Sequence, residues 1–195
     1  MARKAVEQEL NRDIILNVAR EQFASKGYAA VSMRSIANAM GYSHGSLYYH
    51  FKEKAELFYA LVKQDFKVLL GRQKEIIAQH AGDGQTLLRV MMSEFLKFGL
   101  QNRNQYEIMF LLKDADLQRY SRTEQAQVFE LFSAAVAELL RERGEEDIQR
   151  KLYTLPWSLF MSLHGFITYC IRFNQCYEEV EKLAREHVDF LCRSI

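Results

Sequence analysis

One proline, Pro156, and nine glycines punctuate 195 residues. So few breakers, among many Leu, Ala, Glu, Lys and Arg, argue against a turn-rich β architecture and favour an all-α chain. Cysteine is as scarce. Cys170, Cys176 and Cys192 form no C-x-x-C pair and no cysteine–histidine metal spacing. All three lie near apolar residues of the C-terminal helices, so buried thiols are expected, with a redox switch as the alternative. No apolar run reaches the length of a membrane span, and the N-terminus lacks a signal-peptide core, so a cytoplasmic chain is expected. Neither sign of charge dominates: 26 Lys/Arg stand against 25 Asp/Glu, net +1. The distribution is less even, with +3 over residues 1–54 and −2 over the rest. A modestly basic head fits DNA contact by one end; ordinary surface scatter is the other reading.

Catalytic constellations are missing too. The histidines His44, His50, His80, His164 and His187 are scattered, and no H-E-x-x-H, G-x-S-x-G or P-loop pattern occurs. The E-x-x-H repeats of a di-iron helical bundle do not occur either. No enzyme, metal site or cofactor is therefore expected.

What is present is a stretch with strong local punctuation, Ser32 to Lys54, SMRSIANAMGYSHGSLYYHFKEK. Ser32 can cap a helix to Met40, whose apolar residues Met33, Ile36, Ala37 and Met40 fall on one face. Gly41 suits a left-handed C-cap. Ser43 can cap a second helix to about Tyr49, anchored by Leu47 and Phe51 and carrying His44, Gly45, Ser46, Tyr48, Tyr49 and His50. Short helix, glycine turn and short helix is the arrangement that presents a helix to a DNA major groove.

The run G-Y-S-H-G-S-L-Y-Y-H-F-K-E-K resembles the signature of the TetR/AcrR family of bacterial transcriptional regulators. Ala19, Phe23, Lys26-Gly27-Tyr28, Ser32-Met33-Arg34 and Ile36-Ala37 agree with it, over roughly Ile14 to Leu61. Tyr42 departs from the pattern, where a small aliphatic residue is commoner, and so does Ala30-Val31, where threonine is common. The resemblance implies that His44 and Gly45 touch base edges, as the outward N-terminal part of the second helix with Ser43 and Ser46. It implies that Tyr48, Tyr49 and His50 contact the phosphate backbone or in part base edges, and that Lys54 contacts a phosphate. Ser32 and Arg34 match phosphate-contacting positions, and the Arg34 fork can also read a guanine. For the two tyrosines and His50, plain packing is the alternative.

Periodicity places a first helix at Arg12–Lys26, with Ile14, Ile15, Val18, Ala19, Gln22 and Phe23 inward. Residues 1–11 read as a frayed arm whose Arg3 and Lys4 could reach a minor groove. A long fourth helix from about Lys52 to His80 should join the head, residues 1–51, to a body, residues 52–195. Further helices follow over Gln85–Leu100, Tyr106–Leu112, Ser121–Arg143, Asp147–Phe173 and Asn174–Ile195, about nine in all, with an interruption or kink expected at Pro156. The eighth is apolar nearly all round and the ninth carries a broad apolar stripe. Pairing of these two helices between chains would make a four-helix homodimer interface, as the resemblance implies; capping of a monomer core is the alternative.

Aromatic and methionine residues gather in the body: Met91, Phe95, Phe98, Tyr106, Met109, Phe110, Trp157 and Phe160. They are either core or the lining of a pocket for an unidentified, mostly apolar effector. His164-Gly165 sits within an apolar helix, so His164 is a candidate ligand contact and Gly165 a point of close approach. The function expected is a ligand-responsive, DNA-binding regulator, most simply a dimeric repressor of a palindromic operator. A DNA-binding or helical adaptor without an inducer is the alternative.

Overall fold

The computed structural model describes residues 10–112 and 115–195. The proposed arm through Arg3 and Lys4 lies outside them. Among the described residues every regular element is helical: α1 Arg12–Lys26, α2 Met33–Met40, α3 His44–His50, α4 Lys54–Gln79, α5 Gly84–Gln101, α6 Arg103–Tyr106, α7 Ala115–Gln118, α8 Arg122–Glu142, α9 Ile148–Arg172 and α10 Tyr177–Arg193. A π-helical turn, Glu107–Leu111, continues α6. Taken with that turn, α6 is the short apolar helix expected near Tyr106. The four-residue α7 is an addition.

The head is stapled by caps, of which Ser32, Gly41 and Ser43 are foreshadowed by the sequence and Asn11, expected in the frayed arm, is an addition. Asn11 caps α1 by accepting from the Ile14 amide at 3.0 Å. Ser32 and Ser35 exchange amide-to-hydroxyl bonds of 3.0 and 3.1 Å, a serine variant of the capping box. Gly41 ends α2 at φ +74°, where a side chain would be strained. Ser43 caps α3 through the Ser46 amide at 3.1 Å.

The core is continuous from Ile15 in α1 to Cys192 in α10. In the body, α5 packs against α8, α9 and α10. Gly99 makes the α5–α9 approach possible: a Cβ there would meet Ile167 at 2.8 Å. Gly165, expected to mark such an approach, has nothing within 4 Å of an added Cβ. Close packing at that point would have to come from outside the chain. The interruption expected at Pro156 does not occur. α9 runs through the buried ring, so the missing donor is tolerated inside one helix.

Head and body also meet through charge. The Arg20 guanidinium of α1 donates to both oxygens of Asp65 in α4, at 3.1 and 2.6 Å. Gln105 of α6 donates to the same carboxylate at 3.1 Å. Asp65 is fully buried, and an ion buried this deeply persists only when it is bonded on several sides.

Candidate functional site

Two surfaces matter. The first is the outer face of α3. Leu47 and Phe51, both fully buried, anchor this helix to the head. Arg12 adds a bond to the His50 carbonyl at 2.8 Å and lies 4.1 Å over the Phe51 ring. With its inner side fixed, α3 turns His44, Gly45, Tyr48 and Tyr49 outward. Tyr49 is 88% exposed, more than any packing role explains. The His44 ring meets the Tyr48 ring edge-on at 4.6 Å, which orients both at the helix start. Ser32 and Arg34 are exposed on α2, and Arg34 has no hydrogen-bond or ion-pair partner among the described residues.

The other candidates on this surface are partly engaged within the chain. Ser43 and Ser46 share a 2.6 Å hydroxyl contact and are half-buried. His50 is half-buried beside Tyr49. Lys54 donates to the carbonyls of Tyr28 at 2.9 Å and Val31 at 2.8 Å, and lies 4.1 Å over the Tyr28 ring. Burial there lowers the Lys54 pKa from its ordinary value. Lys54 therefore locks the α1–α2 turn to α4, and at most one of its three ammonium hydrogens is left for an outside acceptor.

The second surface is a recess of about 520 Å³ between α8 and α9, with the π-helical turn at one side. Four of the expected pocket residues line it: Phe110, Trp157, Phe160 and His164. Met91, Phe95, Phe98 and Tyr106 stand behind that wall in the core, at most 3% exposed. Phe95 supports the lining, with its ring 5.2 Å from Phe160 and 5.9 Å from Phe110. Tyr106 shares a 2.5 Å hydrogen bond with Nδ1 of His164. Burial raises the Tyr106 pKa well above 10 and lowers that of His164, so both groups are held neutral.

The remaining lining comes from α8 as Arg122, Gln125, Ala126, Phe129 and Glu130, and from α9 as Met161. The sequence reading omits them, although Arg122, Ala126, Phe129 and Glu130 follow helical spacing on one face. Phe129 stacks on Trp157 at 4.0 Å. A continuous set of contacts leads from this recess to the head. Phe110 and His164 touch Tyr106, the next residue is Gln105, and Gln105 holds the Asp65 carboxylate that clamps Arg20 of α1.

A row of exposed apolar residues runs along α9 at every fourth position: Tyr153, Trp157, Met161, then Gly165, Tyr169 and, at the helix end, Phe173. Leu183 and Phe190 of α10 are exposed as well. Burial raises the thiol pKa of Cys170 and Cys192. Among the described residues no cluster of His, Cys, Asp and Glu could hold a metal ion, and no helix is long and apolar enough to cross a membrane.

Residues 15–61 match the family model described as bacterial regulatory proteins, tetR family. A curated HTH-type transcriptional regulator of Staphylococcus aureus is 29% identical over 103 residues, which make up 53% of this chain and 54% of that protein. The chain thus spans about half the length of the curated relatives it matches. A TetR/AcrR-family regulator from Thermobifida fusca shares the fold with a TM-score of 0.69 at 22% identity, over 93% of this chain and 96% of that one. The regulator FadR from Bacillus subtilis, solved in complex with stearoyl-CoA, gives 0.78 at 17% identity, over 95% and 100%. At these identities the likeness is one of fold.

Proposed function

We propose, for a chain that belongs to the TetR/AcrR family of transcriptional regulators, that it is a cytoplasmic repressor that binds a palindromic operator as a dimer and leaves it when a small, mostly apolar molecule fills the recess between α8 and α9. The observation that carries the DNA half is the outer face of α3. Its side chains are turned out by a buried inner side, and at the start of the helix Gly45 adds no bulk beside His44. In this reading His44 and Gly45 read bases, with Ser43 and Ser46 shaping the start of the helix. Tyr48, Tyr49, His50, Ser32, Arg34 and the remaining donor of Lys54 hold phosphates, Arg34 also having the fork to read a guanine. The domain division is head to Phe51 and body beyond, with α4 as the connecting lever.

The dimer forms through α9 and α10. The exposed row on α9, with open space at Gly165, supports this pairing, because a second helix can approach closely only where a side chain is missing. Two heads must then present their α3 helices about 34 Å apart to reach successive major grooves. An effector with higher affinity for another spacing releases the DNA by that difference alone. The aromatic lining, and a shared fold with a FadR solved with stearoyl-CoA, favour an acyl-like effector.

Footprinting on genomic DNA tests the reading. A protected palindrome, released by decanoyl-CoA or a longer acyl thioester, is the expected result. Tyr48→Phe should weaken binding to every sequence, whereas His44 substitutions should alter which sequence is preferred. Unchanged affinity and preference in both variants would remove α3 from the interface.

A further inference from the structure

The recess between α8 and α9 has a charged rim, and its two charges stand at opposite ends. Arg122, Ala126 and Glu130 follow one another along one face of α8, so the backbone positions that carry the cation and the carboxylate are about 12 Å apart along the helix axis at a rise of 1.5 Å per residue. Arg122 is exposed and has no hydrogen-bond or ion-pair partner among the described residues. A second, smaller cavity of about 200 Å³ opens beside it, lined by Met109, Leu112, Gln118 and Ser121. The two cavities share Phe110, Arg122 and Gln125 as a common wall. The Gln125 amide is already committed to the Met109 carbonyl at 2.6 Å and the Ser121 hydroxyl at 3.2 Å. Among the described residues Arg122 is thus the free donor at the junction of an aromatic chamber and a smaller, more polar one.

We propose that the effector is an amphipathic anion: an apolar body lies against Phe129, Trp157 and Phe160, and its carboxylate or phosphate is held by Arg122. This inference rests on the recess being the effector site. It adds the charge of the ligand, its orientation and the residue that selects it. A guanidinium meets a carboxylate or phosphate with two parallel bonds, which a neutral alcohol of the same chain length cannot accept in the same way. Glu130 at the far end repels an anion bound the other way round, so the orientation is set by attraction at one end and repulsion at the other.

The test is calorimetric titration of the full chain with three probes of one chain length: decanoate, decanoyl-CoA and 1-decanol. Protein concentration is held fixed. Trp157 fluorescence gives a second reading, since it is the single tryptophan and lines the chamber. Two variants are compared, Arg122→Gln and Ala126→Phe; Ala126 is exposed, so the larger ring fills the mouth without disturbing the core. The expected result is that Arg122→Gln weakens the anionic probes roughly tenfold, the scale of one charge-assisted contact, and leaves decanol unchanged. Loss for decanoate alone identifies a carboxylate headgroup, and loss for decanoyl-CoA alone a phosphate; either supports the proposal. If Ala126→Phe blocks all probes while Arg122→Gln changes none, the anion anchor is wrong and the recess stands as the effector site. If no probe binds the unaltered chain, or Ala126→Phe blocks none, the effector site itself is misplaced and the anchor falls with it.

Discussion

Replacing Asp65 by alanine should cost more stability than any surface change in this chain. The carboxylate accepts two bonds from Arg20 and one from Gln105, at 3.1, 2.6 and 3.1 Å, with Asp65 fully buried. Removing one partner of a buried pair typically costs about 3–5 kcal/mol, because the survivor is left charged and poorly solvated. Here the lower end applies. The Arg20 side chain is 15% exposed and keeps a 2.7 Å bond to Asn17, so water and an amide recover part of the loss. A cost of about 3 kcal/mol lowers the unfolding midpoint of a domain this size by roughly 6–12 °C. The assay is thermal and urea unfolding followed by far-ultraviolet circular dichroism at one fixed protein concentration, since pairing of chains also shifts the midpoint. The double variant Arg20→Met, Asp65→Leu should recover most of the loss, because it removes both charges and replaces them with volume. A loss below about 1 kcal/mol for Asp65→Ala would show that the clamp is not the buried pair its geometry describes. Hydrogen exchange adds a spatial check: α1 amides should lose protection before those of α5, as the clamp joins α1 to α4 and α6.

Lys54→Met takes the ammonium donor from the Val31 carbonyl and leaves the Tyr28 carbonyl with the 3.3 Å bond from the Val31 amide, so stability should fall by about 1 kcal/mol and DNA affinity should drop in equal proportion for all sequences. An unchanged midpoint and unchanged affinity would contradict both parts. Gly165→Leu should be tolerated within a single chain, which has open space there and gains helix propensity. It should nonetheless shift sedimentation from dimer to monomer, and a dimer of undiminished stability would place the interface elsewhere. His164 is held below its ordinary pKa by burial, so as pH falls through about 6.5 the unfolded chain takes up a proton first and stability declines toward the lower native value. His164→Asn should remove up to about one proton from that slope in unfolding measured between pH 7 and 5. Equal slopes in the two proteins would show that His164 is not neutral in the native state for the reason given.

Local chemistry is what the amino-acid sequence expresses well. Ser32, Gly41 and Ser43 act on neighbours a few positions away, and the helix edges they set fall within a residue or two of expectation. The clamp is different. Arg20 and Asp65 are separated by 45 positions, and nothing near either residue signals the other. The recess was half visible for a related reason. Phe95 and Phe160 are the same kind of residue at helical spacing, and only the placement of α8 decides that one supports the wall while the other lines it. Arg122 looks in the sequence like any solvated cation at a helix start. Its significance comes from the two cavities it borders. At Pro156 a local rule was overridden, since α9 continues through the ring with one donor missing.

Trp157 and Met161 belong at once to the lining of the recess and to the exposed apolar row of α9. If that row is where two copies meet, the same two side chains serve guest and neighbour. Filling the chamber then changes the shape offered to the second copy, and assembly changes the chamber in return by the same free energy. Effector titrations would therefore drift with the amount of protein in the cell or the cuvette, and a regulator present in few copies would answer its signal at a different threshold from an abundant one.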